Sequence, residues 1–360
     1  MSSGKTEPSP IQRWVFCGCN SRSFPGLSPR CSESPISRSF RKRSTKRYPS
    51  SSPADQASIW TRVPRPSPCK AKESTTVATV GEMTVLASGF DTLEGPAFDR
   101  HGNLFFVDWE RHSILRRSPK GEIREFYNTG GVPAGLAFHP DGSLWVADEG
   151  DDIHGLMRIT PDAVATIIAN EFQGVTLNGA NDLVFDKVGN VYFSDPWRTS
   201  AENPVGGFYR YTIDGELQQL DNGLAFPNGV ALTRDGQYVI LAETYRNRLL
   251  RYQIDADGTV GPREVWAETT LPSGGDGMAF GEDGNLFVAH HGAGLVDIFD
   301  PGGTQVGSIS VPGKKVTNVA FGGPQRKRLV ITECVTGSIY AVELDVAGQP
   351  LHDGFSSKVR

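Results

Sequence analysis

One five-residue pattern recurs six times at nearly even spacing, and this repeat restricts the possible folds more than any local propensity does. The copies are Glu94-Gly-Pro-Ala-Phe98, Ala134-Gly-Leu-Ala-Phe138, Asn181-Asp-Leu-Val-Phe185, Asn228-Gly-Val-Ala-Leu232, Asp276-Gly-Met-Ala-Phe280 and Thr317-Asn-Val-Ala-Phe321. Successive first positions lie 40, 47, 47, 48 and 41 residues apart. A period of roughly 40 to 50 residues points to a propeller or a solenoid, in which each repeat is one supersecondary unit that buries its apolar face against its neighbours.

Each copy is followed by a polar turn and an alternating strand, as in Asp99-Arg-His-Gly-Asn-Leu-Phe-Phe-Val-Asp108 and Asp283-Gly-Asn-Leu-Phe-Val-Ala-His290. Asp-Gly and Gly-Asn between apolar runs are strong hairpin signals, so every unit is expected to open with two antiparallel strands. Third strands are expected over 113–117, 155–159, 207–211, 248–253, 294–299 and 337–344, and fourth strands over 123–127, 165–169, 217–220, 264–267 and 305–309. Four strands per unit make a propeller blade. The sixth unit lacks a fourth strand, whereas Met83-Thr-Val-Leu-Ala-Ser-Gly-Phe90 stands unpaired ahead of the first. The expectation is an all-β, six-bladed propeller over residues 83–350, its last blade closed by the strand near 83–90, which removes exposed edges between blades. Tyr192, Trp145 and Phe287 are expected to pack between blades.

Residues 1–80 differ in kind. They hold 14 Lys and Arg against 4 Asp and Glu, including Arg41-Lys-Arg-Ser-Thr-Lys-Arg47, while the rest of the chain holds 22 against 37. This Ser-, Pro- and Arg-rich composition reads as a disordered tail. It could be a nucleic-acid patch, an organelle transit sequence or an upstream extension that is not native to the fold, since Met83 would leave the closing strand complete. No apolar stretch is long enough for a secretory signal or a membrane span. Cys17, Cys19, Cys31 and Cys69 lie in this tail, Cys17-x-Cys19 lacks zinc-site spacing, and Cys334 in the repeat region reads as a small buried apolar residue in a strand. No disulfide framework is expected, and a cytoplasmic setting is the expectation. The acidic balance of the propeller gives no reason to expect nucleic acid or membrane as its partner; a monomer or small homo-oligomer is expected.

The chemistry follows from the repeat. The first strand of each blade lines the central channel, so side chains at one register lie at one height around the axis. The first position reads Glu94, Ala134, Asn181, Asn228, Asp276 and Thr317, and it is expected just ahead of the strand, at the channel mouth. Glu94, Asn181, Asn228 and Asp276 offer two carboxylates and two carboxamides, hard oxygen donors suited to Ca²⁺ with waters completing six to eight ligands. Zinc or copper would recruit His or Cys. Asn and Asp also cap turns ahead of strands, which accounts for any one position but not for their restriction to a single register.

Leu93-Glu-Gly-Pro96, Asn178-Gly-Ala-Asn-Asp-Leu183, Tyr192-Phe-Ser-Asp-Pro196, Phe226-Pro-Asn-Gly-Val230 and Gly275-Asp-Gly-Met278 together resemble the SMP-30/gluconolactonase/LRE-like family over roughly residues 84–345. The resemblance implies a six-bladed propeller with a divalent ion at the channel mouth, usually calcium, with Zn²⁺, Mn²⁺ and Mg²⁺ as alternatives. It also implies hydrolysis of a small-molecule lactone. Carried over by position, Glu94, Asn228 and Asp276 match metal ligands, and Asn181 matches a place that binds metal in some members and substrate or water in others. The implied mechanism has the cation polarise the carbonyl while Asp276 activates water as general base or attacks as nucleophile. His291, Trp197 and Arg198 follow second strands and are expected to overhang the mouth as substrate contacts; a structural hydrogen bond is the alternative for His291. Some members place an Arg where this chain has Gly179, which bears on whether a sugar lactone is the substrate. A phosphotriester or fluorophosphate hydrolase, a non-catalytic propeller braced by its ion and, further off, a strictosidine-synthase-like propeller are the other readings.

Overall fold

The computed structural model describes residues 80–353. The basic segment, with Cys17, Cys19, Cys31, Cys69 and the Arg41 to Arg47 run, lies outside the described residues. Among the described residues no helix is long and apolar enough to cross a membrane.

Six antiparallel four-stranded sheets form the blades of a propeller, five of them pairing strictly in chain order. Blade 1 runs outward through Leu93–Phe98, Leu104–Asp108, Ser113–Arg117 and Ile123–Asn128. The hairpin turns form for local reasons. Asp186 Oδ1 accepts the backbone N–H groups of Val188, Gly189 and Asn190 at 2.8–2.9 Å, an Asx turn that replaces ladder bonds where the chain reverses. The third strands occur where the alternation places them, among them Arg248–Gln253 and Leu295–Phe299. A short extra hairpin, Glu171–Phe172 with Val175–Thr176, has no counterpart in the repeat.

Blade 6 closes the ring. Val316–Gly322, Arg328–Glu333 and Ser338–Glu343 take their fourth strand from Thr84–Ser88, which pairs antiparallel with Ser338–Glu343 in the register Thr84↔Ala341 to Ser88↔Ser338. The closing strand was expected there, and this is what makes the ring a single cooperative unit: an open first or last blade would leave an unpaired edge.

The core is divided among the blade interfaces. Phe105 and Val107 of blade 1 pack with Leu136 and Val146 of blade 2, and Leu93 and Phe106 pack with Val330 and Ile339 of blade 6. Tyr192, Trp145 and Phe287 each join the cluster shared with the following blade, as expected. Each blade is thereby held at a fixed angle to the next, which fixes the height of every residue on the innermost strands.

Candidate active site

The innermost strands do not run smoothly through the predicted donor row. In blade 1, Leu93 faces Asp108 and Glu94 faces Val107, but the next partner of Phe105 is Ala97. The same shift occurs between Pro227 and Val230 in blade 4 and between Gly275 and Met278 in blade 5. In blade 3 the strand begins only at Leu183. Extra residues at a bulge twist the strand and re-aim its side chains. Glu94, Asn228 and Asp276 therefore lie within their strands, at the bulge, rather than ahead of them as expected; only Asn181 precedes its strand. All four are 5% exposed.

The second position of each copy explains how the blades approach. Gly95, Gly135, Gly229 and Gly277 occupy it in blades 1, 2, 4 and 5, where a Cβ on Gly229 would lie 2.1 Å from Asp276 O and one on Gly95 2.0 Å from Ala134 O. Blades 3 and 6 carry Asp182 and Asn318 instead. Asp182 Oδ1 accepts from Leu183 N at 2.9 Å and its Oδ2 from Val230 N, in blade 4, at 2.9 Å. Asn318 Oδ1 accepts from Val319 N at 2.8 Å, and its Nδ2 donates to Glu94 Oε2, in blade 1, at 2.9 Å. Two side chains three blades apart each accept from the next backbone N–H and bridge to the following blade, Asp182 as acceptor and Asn318 as donor.

A third row ends the second strands: Asp108, Asp148, Asp195, Glu243, His290 and Glu333, all buried. Four of these acids bind the loop that enters the innermost strand. Asp148 accepts from Val132 N, Asp195 from Asn178 N and Gly179 N, Glu243 from Ala225 N and Glu333 from Lys315 N. These carboxylates hold loops through backbone donors, although Asp148 Oδ2 is left without a hydrogen-bond partner.

Burial raises carboxyls in both rows, Asp195 of the third row to about 6; in the donor row the acids also act on one another. Burial raises Glu94 to about 7, against the lowering effect of the Asn318 and Gly95 bonds and with Asp182 adding to the rise. Asp276 is raised well above the ordinary carboxylate value, first by burial and then by the charges of Glu94, Asp182 and Glu149. Carboxylates from blades 1, 2, 3 and 5 thus act on one another across the channel. Asp276 Oδ1 is buried and has no hydrogen-bond partner, so an ionised Asp276 is undercompensated within the protein itself. A divalent cation would supply that compensation, and Glu94, Asn181, Asn228 and Asp276 are the oxygen donors that could hold it. No three His, Cys, Asp or Glu among the described residues form a ready metal cluster; any such site depends on the carboxamides as well.

The predicted substrate residues separate. His291 is largely buried beside Lys315, with which it forms an isolated bridge, and burial followed by the Lys315 charge lowers it to about 4. It is neutral at pH 7. Trp197 lies over Gly179, where a Cβ would come within 2.9 Å of the Trp197 Cβ and 3.0 Å of Glu149 O. Gly179, at φ +140°, leaves no room for an Arg at that place. Arg198 is exposed and faces the exposed Asp151 at 3.4 Å. Cys334 lies just past its strand rather than in it, half-buried, with Sγ 3.5 Å from Leu93 O; the chain turns immediately after Glu333, so the strand ladder cannot include it. Burial, with the Glu94 charge next, pushes its thiol up to about 12, which keeps it protonated and unreactive.

A cavity of about 800 Å³ runs along the axis beyond the second row. Its walls include Phe98, Phe138, Val184 and Phe280, and the segment Gln349–Asp353 borders it. Glu94, Asn181, Asn228 and Asp276 do not line it. Charged residues such as Arg100, Asp186, Lys187 and Arg234 also border it, but the row of oxygen donors at a shared register lies outside it.

Three residues of this neighbourhood escape the sequence reading. Asp182 and Asn318 were visible as the two breaks in a row that otherwise reads Gly. Glu149 was not, because it lies outside the repeated pattern. Its Oε1 accepts from Asn181 Nδ2 at 2.8 Å, and burial first, opposed by the Asn181 bond and helped by the Glu94 charge, raises it to about 8.

Similar proteins carry the same framework. The chain is 32% identical to diisopropyl-fluorophosphatase of Loligo vulgaris, over 69% of this chain and 88% of that protein. It is 30% identical to gluconolactonase of Zymomonas mobilis, over 67% of this chain and 76% of the relative. The solved structure of a calcium-binding regucalcin from Agrobacterium tumefaciens superposes with a TM-score of 0.66 at 24% identity, covering 76% of this chain and 97% of that one. Residues 93–335, from the first innermost strand to the turn after the second strand of blade 6, match the model of the SMP-30/Gluconolactonase/LRE-like region, and the chain belongs to that family.

Proposed function

We propose that the chain is a cation-dependent hydrolase that opens a small lactone at the channel mouth. The observation that carries this reading is Asp276: a buried carboxylate with one oxygen unpartnered, at the same register as Glu94, Asn181 and Asn228. Kinship with a gluconolactonase supports the reaction class. Calcium is the first candidate because the donors are all oxygen, with Zn²⁺, Mn²⁺ and Mg²⁺ to be compared. When bound, the cation would polarise the scissile carbonyl and stabilise charge developing on its oxygen. Glu94, Asn181 and Asn228 hold and orient. Asp276 takes the proton from the attacking water, and a cation beside it would keep its carboxylate ionised and available as a base at neutral pH. His291, neutral at pH 7, would accept or donate a hydrogen bond to substrate, with Trp197 and Arg198 as further substrate contacts.

A fluorophosphatase reading rests on the relative that matches 32% over most of its length; phosphoryl and carbonyl oxygens make the same demand on the cation. A pH-stat assay with a panel of lactones and one aryl or fluoro phosphotriester, in EDTA and after add-back of each cation, decides between them. Turnover of lactones that is lost in EDTA and restored by cation is the expected result. Undiminished hydrolysis in EDTA, or turnover of the phosphotriester alone, would overturn it.

A further inference from the structure

Blades 2 and 6 are the gaps in the donor row, and blade 6 presents Thr317, whose hydroxyl donates to Leu93 O at 2.6 Å. Blades 1, 3, 4 and 5 present Glu94, Asn181, Asn228 and Asp276, but blade 2 presents Ala134, fully buried and without a polar side chain. Glu149 belongs to that same blade. It follows Asp148, whose Oδ1 is taken up by the loop, and it leans toward the innermost strand of blade 3. Its counterparts lean the same way: Thr244 Oγ1 donates to Gly275 O at 2.7 Å, and Cys334 Sγ lies 3.5 Å from Leu93 O. The row of counterparts reads Trp109, Glu149, Pro196, Thr244, His291 and Cys334, so Glu149 is its single carboxylate. The residue is 1% exposed, Oε1 is engaged by Asn181, and Oε2 has no hydrogen-bond partner.

We propose that Glu149 is the blade 2 member of the site, a positioning residue that holds the Asn181 carboxamide with one oxygen and receives water carried by the cation with the other. This rests on the reading that Glu94, Asn181, Asn228 and Asp276 hold a cation. A carboxylate only accepts, so the NH₂ end of Asn181 must face Glu149 and its Oδ1 is left for another partner. A buried carboxylate oxygen without a partner is costly unless water or a ligand satisfies it. Groups that orient ligating side chains contribute about 10- to 100-fold to metal affinity.

Calcium titrated calorimetrically into the EDTA-stripped full-length chain tests this without reference to turnover, alongside melting temperatures in EDTA. Glu149→Leu should weaken calcium binding about 10- to 100-fold. Glu149→Gln, which can still accept from Asn181, should fall between that variant and the wild type. In EDTA Glu149→Gln should melt close to the wild type because it keeps an acceptor for Asn181, whereas Glu149→Leu should melt lower because it leaves Asn181 Nδ2 unpaired. If Glu149→Leu binds calcium within twofold of the wild type while Asp276→Asn binds far more weakly, the role of Glu149 is wrong and the cation site stands. If wild type and Asp276→Asn show equally little binding, both fall together.

Discussion

Asn318 Nδ2 donates to Glu94 Oε2 at 2.9 Å, joining residues 224 positions apart across the interface where the ring closes. The same Asn318 caps its own strand through Val319 N, so its side chain is held at both ends and Glu94 is oriented by a fixed group. Asn318→Ala would leave Val319 N unpaired and release Glu94. A loss of about 1–3 kcal/mol is expected, read from the urea midpoint, with calcium affinity lowered as well. An unchanged midpoint and unchanged affinity would show that the bond contributes nothing.

The metal-free protein should lose stability as pH rises. Glu94, Glu149 and Asp182 are raised by burial to about 7, 8 and 6, whereas the same groups titrate near 4 in the unfolded chain. Between these values the native state binds more protons, so the unfolding free energy decreases with pH. The stabilising contribution of the protonated groups is complete below about pH 4 and is lost as pH passes through 6 to 8. In EDTA the melting temperature should fall from pH 5 to pH 8.5. The gap between calcium and EDTA should widen over the same range, because the cation binds the deprotonated carboxylates. A metal-free melting temperature that rises across this window would contradict the burial of these acids.

Asp276→Asn should reduce turnover by about 10²- to 10⁴-fold, the usual contribution of a positioned general base. Its metal-free form should melt at or above the wild type, because an unpartnered buried carboxylate is removed. Activity within a few-fold of wild type would remove Asp276 from the chemistry.

Gly229→Ala tests the close approach of blades 4 and 5, because the new Cβ would lie 2.1 Å from Asp276 O. Overpacking of this kind costs about 1–3 kcal/mol or more, and here the backbone of Asp276 must move with it. Gly236→Ala is the control: nothing lies within 4 Å, though φ is +76°. It should cost stability through backbone strain but leave kcat and calcium affinity unchanged. Equal effects of the two variants on calcium affinity would argue against the contact at Gly229.

Arg198→Ala should leave stability within about 0.5 kcal/mol, since its ion pair with Asp151 is exposed on both sides. If the residue meets substrate, KM rises while kcat holds. A change in melting temperature without any change in KM would assign it a structural role instead.

The repeat alone determined the architecture. Asp-Gly and Gly-Asn turns act within four residues and alternation acts within one strand, so strands such as Arg248–Gln253 and Ala165–Ala169 fall where local sequence places them. The closing strand was legible for the same reason: one blade was a strand short and one strand lacked a blade. Aligning the copies also singled out Glu94, Asn181, Asn228 and Asp276 as one row. What the alignment could not contain is the bulge at Glu94, Asn228 and Asp276, because a bulge arises from pairing between strands and leaves no local composition. Nor could it contain the hydrogen bond from Asn181 to Glu149, 32 residues earlier in the chain. Those two side chains belong to different rows of different blades and meet only because packing between the sheets fixes the angle from one blade to the next.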